Sequence, residues 1–244
     1  MDEPRLPIPT GLPRFNQDSR AWLRSPKAWD RLAYINRTLP AAIERGAAEL
    51  KLGPGDRVLD YGCADAPYSG VFGAGVTYVG ADIAGNSAAD VEVSGDGTLP
   101  VGDETFDAVI STQVLEHVID PQAYLRECER VLRPGGRLLL STHGIMVLHP
   151  DPIDLWRWTS DGLRFEIERS GLQVLSFEGV MGLAATGLQL FQDATWGNLP
   201  SALRAPYAWI LQTLIAICDR LQSGRSRTYN ALVYLVIAEK PRKP

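Results

Sequence analysis

Short apolar runs, each closed by a turn bearing glycine or aspartate, recur along the middle of the chain at residues 57–61, 76–81, 106–110 and 137–141. Runs of this length between turn residues predict buried strands. The stretches between them are long enough for crossover helices, the clearest at 121–132. Strands alternating with helices predict an α/β fold with a parallel sheet and right-handed crossovers. Ahead of the first strand, Trp29, Leu32, Ile35, Leu39, Ile43, Ala47 and Leu50 recur at three- and four-residue steps. That spacing predicts a helix over 27–50, bent near Pro40.

The pattern changes towards both ends. Pro4, Pro7, Pro9, Pro13 and Pro26 predict an irregular arm over 1–26, followed by a single domain over 27–244. Beyond Gly144 a loop rich in Pro, Asp and Trp extends to about residue 160, and a short helix over 160–170 stops at Gly171. Residues 172–180 and 229–239 look like strands, too far apart for a hairpin. The interval 181–228 reads as a mostly helical insertion before the last strand. Its segment 205–221 is apolar enough for a membrane surface, although a buried helix is the expectation.

Composition narrows the classes. With 24 Lys+Arg against 29 Asp+Glu, the net charge of −5 argues against a nucleic-acid partner. The basic residues of the last quarter read as a solvated face. Cys63, Cys128 and Cys218 share no CxxC spacing, so no zinc site or disulfide framework is expected, and a reducing cytoplasm is the natural setting. No signal-like leader opens the chain, and no apolar run reaches the ~20 residues of a transmembrane span.

Ligands of parallel sheets bind beyond the carboxyl ends of the strands. Asp60-Tyr61-Gly62-Cys63-Ala64-Asp65-Ala66 follows the first predicted strand. Asp82, with Ile83, follows the second, 22 positions beyond Asp60. An acid at about that offset accepts hydrogen bonds from ribose hydroxyls. Asp96-Gly97 precedes the third strand, Gln113 and Glu116-His117 follow it, and His143 ends the fourth. A pyrophosphate turn needs glycine where this chain has Ala64 and Ala66. Asp60 and Asp65 would repel phosphates and suit a cationic ligand better.

Val58-Leu59-Asp60-Tyr61-Gly62-Cys63-Ala64 resembles the first motif of class I S-adenosylmethionine-dependent methyltransferases, in their methyltransferase type 11-like branch. Asp96-Gly97-Thr98-Leu99-Pro100 with Phe106-Asp107-Ala108-Val109, then Leu115-Glu116-His117-Val118 and Val131-Leu132-Arg133-Pro134-Gly135-Gly136, are similar to the motifs that follow it, in order and across about residues 55–143. The resemblance implies a Rossmann-like fold with a mostly parallel, seven-stranded sheet and flanking helices. It implies S-adenosylmethionine as cofactor. The Asp60–Ala64 turn, with Gly62, Cys63 and Ala64, would cradle the methionine part, and Asp60 would face its amine. Asp82, beside Ile83, would hold the ribose. Asp96 would accept from the adenine amine, with Gly97 donating its N–H nearby, and Gln113 would line the methionyl side. Alanine at 64 and 66, where the family often has glycine, is tolerated if φ stays negative.

Loops outside the shared core, 145–160 and 181–228, are expected to wall the acceptor site. His149-Pro150-Asp151-Pro152-Ile153-Asp154-Leu155-Trp156-Arg157-Trp158-Thr159 resembles a segment of methyltransferases from glycan and natural-product sugar pathways. It points to a saccharide hydroxyl as acceptor, contacted by His149, Asp154, Trp156 and Trp158. His143 is the candidate general base, and a divalent metal held by carboxylates could assist. Glu116-His117 recurs in the family whatever the acceptor and is read as structural. N- or C-methylation of another small metabolite, and a non-catalytic cofactor-binding scaffold, remain as alternatives. A homo-oligomer is compatible with the sequence.

Overall fold

Seven strands form one sheet in the order β3-β2-β1-β4-β5-β7-β6. They are β1 (Arg57–Tyr61), β2 (Thr77–Asp82), β3 (Val91–Glu92), β4 (Phe106–Thr112), β5 (Leu132–His143), β6 (Gln173–Gly182) and β7 (Ala231–Glu239). Only β7 runs antiparallel to its neighbours β5 and β6. This computed structural model describes residues 25–150 and 153–242. The arm expected over 1–26 lies outside the described residues except for its last two positions. The mostly parallel, Rossmann-like sheet agrees with the resemblance.

Helices cover both faces. On one, α2 (Pro121–Val131) and α3 (Ser160–Arg169) seat Leu125, Cys128, Leu163 and Ile167 against the sheet. On the other, α1 (Ile35–Glu49), α4 (Leu183–Trp196) and α5 (Ser201–Leu221) contribute Ile43, Ala47, Ala185 and Ile215. A short helix, α6 (Gly224–Tyr229), leads into β7. The start of α2 is set locally: Asp120 accepts a hydrogen bond from the Ala123 N–H at 3.0 Å, and Pro121 takes the first turn, where no donor is needed. Thr159 caps α3 in the same way through the Gly162 N–H, at 3.0 Å.

Three expectations need correction. The first helix begins at Ile35 rather than near Lys27; turns precede it, and Pro40 lies within it. The Pro134-Gly135-Gly136 turn lies inside β5, where the register with β4 shifts between Phe106 and Ala108. The expected buried helix over 205–221 is only half buried. α5 covers Ala208, Leu211, Gln212, Ile215 and Asp219, while Leu203, Ile210, Leu214, Ile217 and Leu221 stay exposed.

Candidate functional site

Chain order reverses direction between β1 and β4, and parallel sheets open a crevice at such a point. A cleft of about 440 Å³ lies there, beyond the carboxyl ends of β1, β2 and β4 and against the start of α2. Gly62, Asp82, Ile83, Asp96 and Gly97, all expected from the sequence, line it. Tyr61, Val93, Val114, Val118, Ile119 and Tyr124 add apolar and aromatic surface that the motifs did not single out. Among the described residues its charged lining consists of Asp82, Asp96, Asp120 and Glu127, with no lysine or arginine. Sequence reasoning missed Asp120 and Tyr124. The Asp-Pro helix start was the signal that places this end of α2 over the switch point.

Asp60, expected to face the amine, does not itself line the cleft; it lies in β1 two residues before Gly62, which does. It is buried and accepts from the Tyr78 hydroxyl at 2.5 Å, while its Oδ1 has no hydrogen-bond partner. Burial raises the Asp60 pKa to about 7; the Tyr78 hydrogen bond opposes this and the charge of Asp82 adds to it. A buried, unsatisfied carboxylate oxygen costs free energy and matches the ammonium of S-adenosylmethionine. Asp82 accepts from the backbone N–H of Ala64 and Ile83 and from Asn86 Nδ2, each at 2.8 Å. A carboxylate offers about four lone-pair sites, so Asp82 keeps acceptor capacity for a ligand hydroxyl while tying the β1 turn to β2. Asp96 accepts from the Thr98 N–H at 3.0 Å, which holds its carboxyl below the usual range.

Other expected cofactor residues are placed differently. The Gly97 N–H donates to Ser94 O at 2.8 Å in a tight turn, so the expected donation to adenine is already spent. Cys63 points its side chain into the core beside Gly80, and only its backbone belongs to the turn. Gln113 donates through Nε2 to Ser141 Oγ at 3.1 Å and through its N–H to Ser141 O at 2.9 Å. It ties β4 to β5 and does not line the cleft.

Ala64 and Ala66 have φ of 49° and 53°, against the expectation of negative values. A left-handed alanine costs about 1–2 kcal/mol, partly offset by the entropy glycine would lose on folding. Ala64→Gly and Ala66→Gly should therefore each raise stability by about 0.5–1 kcal/mol, read as a shift of the urea midpoint at constant slope.

At the end of β5, all three histidines of the chain come together. The His149 ring lies 5.8 Å from that of His143 and 6.1 Å from that of His117. His143 is buried, and Glu116 Oε1 lies 3.3 Å from its Nδ1 without hydrogen-bond geometry. Desolvation, then the Arg157 guanidinium, lowers its pKa to about 3. So weak a base gives little driving force for proton removal near neutral pH, which counts against the expected general base. Glu116 is buried, accepts from Thr142 Oγ1 at 2.8 Å, and is raised to about 7 by burial.

The loop over 144–160 is pinned to the site by Trp156, whose Nε1 donates to Val118 O at 2.7 Å. Trp156 and Trp158 stack on each other at 6.0 Å, so each spends one face on the other. Asp154 is buried in a bidentate pair with Arg157 at 2.5 Å and accepts from the His149 N–H at 2.6 Å. It holds the loop together through Arg157 and the His149 N–H. The expected wall over 181–228 contributes no cleft-lining residue. Its helices hold the turns ahead of α1 instead, where Gln212 Oε1 accepts from the Tyr34 N–H at 2.7 Å. No three His, Cys, Asp or Glu side chains among the described residues could hold one metal ion, so a carboxylate-held divalent metal has no ligand set there.

Known proteins share this plan. A [4+2]-cyclase, SpnF, superposes with a TM-score of 0.52 at 19% identity, covering 83% of this chain and 82% of the other. The methyltransferase in complex with the Haloferax volcanii Trm112 methyltransferase activator gives 0.56 at 18% identity, over 92% and 96%. Identities this low establish the fold alone. Demethylmenaquinone methyltransferase of Mycobacterium marinum is 41% identical over 99 residues, 37% of this chain and 43% of the relative. Ubiquinone biosynthesis O-methyltransferase of Dinoroseobacter shibae is 37% identical over 126 residues, 46% and 51% of the two chains. The chain thus spans about half or less of the curated relatives it matches. A methyltransferase-domain profile matches residues 31–176, more than half of the 244, and the chain therefore belongs to the methyltransferase-domain family.

Proposed function

We propose that this chain transfers the methyl group of S-adenosylmethionine to a hydroxyl of a small molecule. The observation that carries the proposal is the cleft at the switch point, whose charged lining is wholly carboxylate. Such a lining attracts a sulfonium and an ammonium and repels the pyrophosphate of a dinucleotide. In this reading Asp82 holds the ribose, Asp96 the adenine amine and the free oxygen of Asp60 the ammonium. The cofactor, when bound, supplies an already activated methyl group. What remains for the chain is to align the acceptor oxygen in line with the sulfonium and to take its proton.

The little base strength the site offers supports an acceptor that ionises readily. His143 is held at about 3, and no metal ligand set is assembled among the described residues. A saccharide alcohol ionises far above neutral pH, whereas a ring hydroxyl of the tyrosine type ionises near 10. An aromatic hydroxyl therefore suits this site better than the saccharide expected from the sequence. The two curated relatives are both named for quinones, and one of them is named as an O-methyltransferase, which supports the same class. His149, exposed at the mouth of the histidine group, is our candidate to receive the proton.

Incubation with methyl-labelled cofactor and a panel of phenols, quinols, saccharides, peptides and RNA tests the proposal. Label should appear on aromatic hydroxyls. Label on saccharides alone would reject the acceptor class. Cofactor bound without transfer to any acceptor would favour the scaffold reading.

A further inference from the structure

The α4–α5 hairpin buries a polar network beside its apolar contacts. Next to the buried Ala185, Ala208, Leu211 and Ile215, Gln189, Gln192 and Gln212 are joined through Gln212 Nε2, at 3.0 Å and 2.9 Å, and Gln212 also donates to Arg31 O at 2.8 Å. Asp219 is buried too, accepting from the Gly182 N–H at 2.7 Å and the Tyr34 hydroxyl at 2.8 Å. The side facing outward is apolar. On α5, Leu203, Trp209, Ile210, Leu214, Ile217 and Leu221 are 42–81% exposed, and α4 adds Leu183 and Phe191. A hairpin that served only to cover the sheet would hydrate its glutamines and leave few large apolar side chains outside. Here the glutamines are buried and eight large apolar side chains stay exposed, and so large an apolar surface marks an interaction site.

Charge selects the occupant. Between residues 183 and 229 the only acids are Asp193 and Asp219. Both are buried and paired, with Arg31 at 3.0 Å and Arg227 at 3.5 Å. The cations of the same stretch are Arg204, Arg220, Arg225 and Arg227, and Arg220 and Arg225 are exposed. Within this stretch the exposed charges are thus positive alone, on a chain whose net charge is −5. A second copy meeting this face about a two-fold axis would bring cations towards cations with no acid to pair them. An anionic lipid surface complements both the apolar face and the exposed cations. Trp209 widens the face beyond the narrow heptad seam that a coiled coil uses, and tryptophan suits the headgroup boundary. No described helix is long and apolar enough to cross a membrane, so the hairpin would lie in the surface.

We propose that the outward face of α4–α5 docks this protein on anionic membranes. The proposal is independent of the methyl acceptor. The full chain should float with vesicles of phosphatidylcholine containing about a third phosphatidylglycerol. Affinity should be at least tenfold weaker for phosphatidylcholine alone, and half-molar salt should weaken it on the mixed vesicles. Brominated lipid should quench part of the tryptophan emission, and Trp209→Phe should remove that part. A triple variant, Leu214→Gln with Ile217→Gln and Leu221→Gln, should lose at least tenfold in vesicle affinity while S-adenosylhomocysteine binding persists, which shows that it is folded. Three results would overturn the proposal. One is a chain that ignores vesicles but dimerises through residues the triple variant disrupts. Another is a monomer that does neither, which would point to residues 1–24 as the cover. The third is equal binding to neutral and anionic vesicles.

Discussion

Gly62→Ala should destabilise the protein by about 2–4 kcal/mol and abolish cofactor binding. Two costs combine at this position. Gly62 has φ of 89°, outside the region an alanine occupies without strain, which costs about 1–2 kcal/mol. A Cβ there would also stand 2.4 Å from Val114 Cγ2 and 3.1 Å from Cγ1. Valine has few rotamers to escape into, and Val114 itself lines the cleft, so relieving the clash deforms the ligand site. Gly70→Ala is the matched control: its Cβ would meet nothing within 4 Å, and its effect should stay within about 0.5 kcal/mol. Denaturant melts of both variants, with a titration of S-adenosylhomocysteine, check this. A Gly62→Ala protein as stable and as tightly binding as the parent would show that the turn is not the cofactor cradle.

Asp60→Asn should separate stability from function. The folded-state pKa of Asp60 is raised from 3.8 to about 7, first by burial. A group shifted upward favours folding fully below its unfolded pKa, and that contribution is lost as pH rises through the folded value. The parent should therefore weaken between pH 5 and pH 8, and Asp60→Asn should remove about 2–3 kcal/mol of that loss. Cofactor binding should move the other way. Seating the ammonium against Asp60 requires the ionised carboxylate, so parent affinity should rise about five- to tenfold from pH 6 to 7.5. The variant should bind more weakly, without that rise. A variant that keeps the parent's affinity profile would take Asp60 out of the site.

Most of the sheet was legible because each strand is a short apolar run stopped by a turn residue, as at 57–61 and 106–112. Val91–Glu92 was not, since two residues carry no period; their pairing with β2 rests on the neighbouring strand. The motif positions Gly62, Asp82 and Asp96 fall around one cleft because each lies at or beyond the carboxyl edge of the sheet, with Asp60 buried in β1 two residues before Gly62. What failed was direction and environment. The sequence shows that His143 ends a strand, but not that Arg157 and a buried setting would keep its ring neutral. It shows the acid at 154, but not that Arg157, three residues on, would claim it. The period of α5 is plain in the sequence, yet which of its two faces turns inward depends on Tyr34 and Arg31, far away in the chain.

The central claim is that the carboxylate-lined cleft is a site for S-adenosylmethionine. Calorimetric titration of the full chain with S-adenosylhomocysteine and, separately, with NAD tests it most directly. The account predicts one S-adenosylhomocysteine per chain, weakened at least tenfold by Asp82→Asn, which keeps the size of the side chain, and no heat from NAD. Binding of NAD with no response to S-adenosylhomocysteine would contradict it.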